Sequence, residues 1–149
     1  MITPTGIFTS LNPGYIQVAG IRNLAEADML AGAGVDLLGF PLGPGVRTPD
    51  LRVDEVADIT RAIRPPPYAV LITYHRFATP IAADAARTGV HAVQLHGTIL
   101  PGEIGRLRQL CPDLTLVRSL IVRGDNVAPL LQEVSRTSRY VDAFLTDTH

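Results

Sequence analysis

The sequence contains no lysine, no tryptophan and a single cysteine among its 149 residues. That cysteine, Cys111, excludes an internal disulfide and a cysteine-based metal site, and it favours a reducing, intracellular compartment. The first dozen residues lack both a basic start and an apolar run. No stretch of the chain reaches the ~20 apolar residues of a membrane helix. These absences predict a cytoplasmic protein with no signal peptide and no membrane partner.

An excess of charge of one sign is also missing. The 13 basic and 14 acidic residues leave a formal net charge of −1. Without a basic patch or a run of like charges, the chain has no electrostatic footprint for nucleic acid or for an acidic membrane surface. What remains is 46% hydrophobic and 18% charged residues, a composition that can bury a core within one domain.

Six short apolar runs are separated by longer amphipathic stretches. Each run is nearly continuous in its apolar residues, which is typical of strands that are covered on both faces. Alternation of strands and helices gives right-handed βαβ units and a parallel sheet. The predicted strands are Ile16–Ala19, Asp36–Phe40, Ala69–Thr73, Ala92–Leu95, Thr115–Leu120 and Ala143–Thr146.

A weak internal repeat favours a barrel. Similar segments that close a helix and open a strand begin at Gly34, Gly89 and Tyr140, and each interval spans two βα units. A unit of about 25 residues is what a (β/α)₈ barrel of ~250 residues is built from. We therefore predict an α/β fold of the TIM barrel family, with an N-terminal extension over residues 1–14 and a partial barrel over residues 15–149. A doubly wound open sheet is the alternative, although no G-x-G-x-x-G opens the first helix.

The number of strands raises a question of completeness. Six strands cannot close a barrel of eight, and an open sheet would leave two strand edges unpaired. We therefore expect an incomplete chain, or a barrel that another chain completes. The completing chain could be a second copy of this one, which would make the protein a homo-oligomer.

Polar residues end most of the predicted strands. In a (β/α)₈ barrel the chemistry lies at the C-terminal ends of the strands, so converging polar residues there favour a site. The residues at or near these ends are Gln17, Ala19, Phe40, Arg47, Tyr74, His75, Gln94, His96, Arg118, Ser119, Asp147 and His149.

At four places the sequence resembles phosphoribosylanthranilate isomerase, an enzyme of tryptophan biosynthesis. V-Q-L-H-G after a G-V-x-x sequence is the specific signal, and the other three motifs are weak when taken alone. The resemblance implies a small (β/α)₈ barrel that performs an Amadori rearrangement on a small phosphorylated substrate, with no cofactor and no metal. The motifs are V-A-G-I at 18–21, A-G-V-D-L-L-G-F at 33–40, V-Q-L-H-G at 93–97 and D-A-F-L-T-D at 142–147.

The resemblance also assigns an acid and a base. The reaction needs a general base and a general acid on opposite sides of the opened ribose. In the family the acid is the aspartate that ends the sixth strand, which Asp147 matches. The base is a cysteine of the first strand, and here that position is Ala19, which has no proton-accepting atom. The family lysine two residues earlier is replaced by Gln17.

The remaining candidates are assigned to the substrate. The resemblance places Arg47 against the anthranilate carboxylate, and a guanidinium fits a carboxylate bidentately. Arg118 replaces a frequent family lysine and either contacts an anion or pairs with Asp147. His75 is an alternative base. For His96, a role in orienting the substrate or in supporting the structure is favoured over a role as base. The substrate-binding set is Gln17, Arg47, His75, Gln94, His96 and Arg118.

Two functional hypotheses follow. The first is an isomerase of the phosphoribosylanthranilate type. The second is a non-catalytic or repurposed relative, because Ala19 replaces the family base. Barrels of this type hold a substrate phosphate in the loops after strands 7 and 8, so we expect the six predicted units alone to bind a phosphosugar poorly.

Overall fold

Parallel strands and helices alternate along the chain after one turn of 3-10 helix at Gly6–Thr9. The computed structural model describes residues 6–11, 13–46 and 51–148. The strands within these ranges are β1 Gln17–Ala19, β2 Leu37–Leu42, β3 Tyr68–Thr73, β4 Ala92–Leu95, β5 Thr115–Val122 and β6 Ala143–Thr148. The helices are α1 Leu24–Gly32, α2 Val53–Ala62, α3 Ala78–Thr88, α4 Pro101–Leu110 and α5 Val127–Thr137.

The sheet follows chain order. Its strands are arranged β1-β2-β3-β4-β5-β6, and every neighbouring pair is parallel. A doubly wound sheet would reverse its strand order at a switch point, so the open-sheet alternative is wrong. The sheet curls as part of a (β/α)₈ barrel, which confirms the predicted fold class.

The core lies between the outer face of the curled sheet and the helices. Successive strand residues point to opposite faces, and the outward positions are occupied by apolar side chains such as Leu38, Phe40 and Leu71. They pack with helix residues such as Ile81 and Leu107, both fully buried. The inward positions of the same strands form the concave side, where polar residues gather toward the C-terminal edge.

The N-terminal mouth of the concave side is covered by the segment that precedes β1. Ile7, Phe8 and Leu11 pack against a small buried cluster formed by Leu37, Val70 and Ala92. The backbone N–H of Ile7 donates to Thr115 Oγ1 over 3.0 Å. This end of the sheet is therefore closed by apolar contacts.

Helix boundaries follow local capping chemistry. Asn23 caps α1, because its Oδ1 accepts from the Glu26 N–H over 2.9 Å. Gly89 ends α3 in the left-handed conformation at φ 67°. The N-cap of α2 is Arg52, whose N–H donates to Glu55 Oε2.

Candidate functional site

The C-terminal ends of the strands open into a cleft of about 830 Å³. Four of the residues predicted for the site line it, namely His75, His96, Arg118 and Asp147. Two others, Gln17 and Gln94, lie deeper on the concave side, and Arg47 lies outside the described residues.

Strand alternation decides which side chains face the concave side. On β4, Leu95 packs in the outer core, so Gln94 and His96 point inward. On β5, Leu116 packs in the same core, so Arg118 points outward and Ser119 inward. The two neighbours on β5 therefore have different surroundings.

A chain of hydrogen bonds crosses the concave side. Gln17 Nε2 on β1 donates to Gln94 Oε1 on β4 over 2.8 Å. Gln94 Nε2 then donates to Ser119 Oγ on β5 over 3.1 Å, and Ser119 Oγ lies 3.2 Å from His96 Nδ1. Gln94 and Ser119 are both buried, so these bonds hold polar groups that water does not reach.

His96 stands between this hydrogen-bond chain and Asp147. Its ring meets the Tyr74 ring edge to face, with centroids 4.9 Å apart. His96 Nε2 lies 3.9 Å from Asp147 Oδ2, and the Asp147 side chain is 44% exposed. The Asp147 carboxyl group is therefore open to a ligand in the cleft and has an imidazole beside it.

Arg118 is held by the fold. Its Nε donates to Glu133 Oε1 on α5 over 2.6 Å, and its Nη1 donates to the carbonyl oxygens of Leu95 and Gly97 over 2.7 Å each. The alternative pairing of Arg118 with Asp147 is wrong, because Arg118 points outward and its carboxylate partner is Glu133. The guanidinium ties α5 to the loop after β4.

His75 also engages a helix. It follows β3 at an outward position, and its Nε2 lies 3.3 Å from Asp84 Oδ2 on α3, with both side chains about one fifth exposed. Its backbone N–H donates to Thr73 Oγ1 over 3.2 Å. A histidine paired in this way lies at the rim of the cleft with one ring nitrogen directed at α3.

The position that would carry the family base is exposed. Ala19 ends β1 with its side chain accessible and pairs in register with Gly39 of β2. Cys111 lies at the other end of the sheet, immediately after α4 and before β5. Burial raises the pKa of its thiol. The described residues therefore place no thiol at the C-terminal edge.

The structure explains the V-Q-L-H-G motif residue by residue. Val93 and Leu95 fill the outer core, while Gln94 and His96 serve the concave side. A Cβ at Gly97 would lie 2.7 Å from the Tyr74 carbonyl oxygen and 2.9 Å from its Cα. The loop after β4 approaches the end of β3 so closely that only glycine fits.

Three residues outside the predicted site set take part in its structure. Ser119 holds His96, Glu133 holds Arg118, and Asp84 holds His75. Asp84 lies three residues after the buried Ile81 on α3, and Glu133 lies four residues before the buried Thr137 on α5. No local sequence signal links either acid to the strand ends. Ser119 belongs to the polar residues at the predicted strand ends, but the sequence assigns it no role.

Within residues 6–11, 13–46 and 51–148, no helix has the length and apolar character to cross a membrane. The same residues contain no cluster of three or more histidine, cysteine or acidic side chains that could hold a metal ion.

Comparison with known proteins supports the resemblance. No family model matches the chain. The N-(5'-phosphoribosyl)anthranilate isomerase of Thermosynechococcus vestitus is 27% identical over 135 residues, which are 90% of this chain and 56% of that protein. The chain thus spans about half the length of this curated relative.

Solved structures agree in fold. The N-(5'-phosphoribosyl)anthranilate isomerase of Pyrococcus furiosus superposes with a TM-score of 0.74 at 22% identity, over 91% of this chain and 67% of that one. A phosphoribosylanthranilate isomerase in complex with reduced 1-(o-carboxyphenylamino)-1-deoxyribulose 5-phosphate gives a TM-score of 0.73 at 19% identity, over 91% and 65%. The resemblance to this family, first seen in the motifs, is confirmed.

Proposed function

We propose that the chain is part of an isomerase that rearranges a phosphorylated ribosylamine, with Asp147 as its general acid. The observation that carries the proposal is the position of Asp147: inward on β6, at the C-terminal edge, 44% exposed to the cleft and beside His96. The curated relative with which the chain aligns over 90% of its length is an isomerase of this type.

The chemistry requires two proton transfers. The ring oxygen or the Schiff base of the substrate takes a proton, and C2 of the sugar gives one up. Asp147 can serve the first transfer because a ligand in the cleft reaches its carboxyl group. The second transfer lacks the thiol that serves as base in the family, since Ala19 occupies the position of that cysteine. We therefore expect turnover well below that of an enzyme that has the thiol.

The proposed substrate is small and carries two anionic groups, a carboxylate and a phosphate. The ligand held by one structural neighbour carries a phosphate and a carboxyphenyl group. Arg47 is the proposed partner of the carboxylate, a role that the family resemblance assigns to it. The phosphate would be held by loops after a seventh and an eighth strand, so β1 to β6 alone are expected to bind such a ligand weakly.

The test is an isomerase assay with phosphoribosylanthranilate on the protein expressed from its complete reading frame. Asp147→Asn should lower kcat by about 10²–10⁴-fold, as expected for loss of a general acid, and should leave the melting temperature nearly unchanged. The matched control is Asp113→Asn, an exposed aspartate at the opposite end of the sheet. Turnover that survives Asp147→Asn would exclude the acid role.

A second candidate is a non-catalytic or repurposed barrel. The observation that favours it is Ala19, an exposed methyl group where the reaction needs a base. Such a protein would bind a small anion or another protein without turning over the isomerase substrate. Well-expressed protein that fails to complement a tryptophan auxotroph would favour this candidate over the first.

A further inference from the structure

Three polar side chains on strands of the concave side, together with His96 just after β4, form one connected hydrogen-bond chain: Gln17 to Gln94, Gln94 to Ser119, and Ser119 to His96. It joins β1 to β4, two strands that are not neighbours in the sheet. Such a chain has a direction, because each amide and hydroxyl group donates on one side and accepts on the other. Its direction determines which nitrogen of His96 carries a proton.

The direction follows from the donors. The Gln17 amide N–H donates to Gln94 Oε1, and the Gln94 amide N–H donates to Ser119 Oγ. Among the described residues, the Ser119 hydroxyl has Gln94 and His96 as its hydrogen-bond partners. Since Ser119 is buried, its own O–H is satisfied when it donates to His96 Nδ1. The neutral imidazole then carries its proton on Nε2.

A second, independent contact favours the same tautomer. His96 Nε2 faces Asp147 Oδ2 at 3.9 Å. A carboxylate attracts an N–H and repels a ring lone pair, so the Nε2–H form is favoured on this side as well. With both glutamine amides reversed, Nδ1 would carry the proton and a lone pair would face Asp147.

We infer that Ser119, held in place by Gln94 and Gln17, is a positioning residue that fixes His96 in the Nε2–H tautomer with that N–H directed at Asp147. The catalytic consequence rests on the proposed function. An N–H held beside Asp147 stabilises the carboxylate that is left after Asp147 has protonated the substrate, and it keeps the carboxyl group aimed into the cleft. Gln17, at the position of the family lysine, is the first donor of this hydrogen-bond chain.

The direct measurement is two-bond ¹H–¹⁵N correlation of ¹⁵N-histidine-labelled protein, at a pH above the ordinary histidine pKa of about 6.5. His96→Gln identifies the His96 signals among those of the four histidines. We expect the pattern of a protonated Nε2 and an acceptor Nδ1. His91 is an internal reference, because its Nδ1 accepts from the Ala69 N–H over 3.0 Å. A protonated Nδ1 at His96 would overturn the inference in the wild-type protein, without any variant.

Ser119→Ala should release the tautomer, so that signals of both forms or an averaged pair appear. Ser119→Thr, which keeps a hydroxyl, should restore the Nε2–H pattern. Thr88→Val is the matched control, because it removes another buried hydroxyl that bonds only within α3. An unchanged His96 pattern in well-folded Ser119→Ala protein would show that Ser119 does not set the tautomer.

Kinetics separate positioning from mere support of the structure. In protein that turns over substrate, Ser119→Ala should lower kcat about tenfold, the size of effect that loss of one hydrogen bond gives, with KM little changed. A rise in KM with kcat intact would contradict the positioning role. The tautomer is measured without substrate. The predicted tautomer in an inactive protein would therefore refute the proposed function and leave this inference standing.

Discussion

The two aspartates at the ends of the sixth strand have opposite surroundings. Asp142 precedes β6, is 14% exposed, and accepts from Arg108 Nη2 over 2.6 Å and from the Leu116 N–H over 2.8 Å. Asp147 lies five residues later, is 44% exposed, and has His96 Nε2 at 3.9 Å. The same side chain serves the fold at one end of the strand and stays open to the cleft at the other.

Arg108 makes several further hydrogen bonds at the N-terminal end of the sheet. Besides Asp142 it binds the carbonyl oxygens of Tyr140, Pro112 and Leu114. It thereby fastens α4, the loop before β5 and the loop before β6 to one another. Asp142 and Arg108 are bound into the fold at the N-terminal edge, whereas Asp147 is open to the cleft at the C-terminal edge, where (β/α)₈ barrels carry their sites.

The largest effect on stability should come from breaking the Asp142 pair. Asp142→Ala leaves the Arg108 guanidinium and the Leu116 N–H without their carboxylate, and we expect a loss of about 3 kcal/mol in the free energy of unfolding. The matched variant, Asp147→Ala, should cost under ~1 kcal/mol because that side chain is half exposed. Urea unfolding measures both, and equal losses would remove the contrast between the two ends.

The second-largest loss of stability should come from adding a side chain at Gly97. A Cβ in Gly97→Ala would press on the Tyr74 backbone, so we expect the stability to fall by roughly 2 kcal/mol, as for other overpacked sites. The Tyr74 and His96 rings should also separate. Gly102→Ala is the control, because nothing lies within 4 Å of a Cβ there. A neutral Gly97→Ala variant would contradict the close approach of the two loops.

The reactivity of thiols at the two ends of the sheet should also differ. The thiol introduced by Ala19→Cys would lie on an exposed position at the C-terminal edge. Cys111 lies at the opposite end, and burial raises its pKa. Because the thiolate is the reacting species, an aromatic disulfide reagent should label the introduced thiol at least ~10-fold faster than Cys111. Mass spectrometry of the labelled peptides distinguishes the two sites, and preferential labelling of Cys111 would contradict the assignment.

The smallest predicted effect is acid sensitivity at the N-terminal end. Burial lowers the pKa of His91 below its ordinary value of 6.5, and its Nδ1 accepts from the Ala69 N–H. Below that value the unfolded state binds the proton more readily than the folded state, so stability falls as the pH drops toward the folded pKa. His91→Gln should reduce this part of the pH dependence. An unchanged slope in His91→Gln would exclude His91 as its source.

The sequence predicted the strands well because each is a nearly continuous apolar run. The predicted Ala92–Leu95 matches β4, while β1 begins one residue later and β6 ends two residues later than expected. The barrel prediction also placed His96 and Asp147 at the C-terminal strand ends, where both line the cleft. These features depend on local pattern and on strand order, which the sequence carries directly.

Partners contributed by helices could not be predicted in the same way. Arg118 and Ser119 are neighbours within β5, with apolar residues on both sides, yet one faces α5 and the other faces His96. Which of them faces inward depends on the pairing register with β4. The Glu133 partner of Arg118 lies 15 residues further on, at a distance that no local motif spans. Arg47 lies outside the described residues, and its contact with a carboxylate stays a prediction.

The central claim is that the C-terminal edge keeps the acid of an isomerase site and lacks its first-strand base. The most direct test is the turnover of phosphoribosylanthranilate by four forms of the protein expressed from its complete reading frame: wild type, Ala19→Cys, Asp147→Asn and the double variant. The claim predicts that Ala19→Cys raises kcat at least ~10-fold and that Asp147→Asn abolishes the gain. A folded Ala19→Cys variant with no gain, or a gain that persists in the double variant, would contradict it.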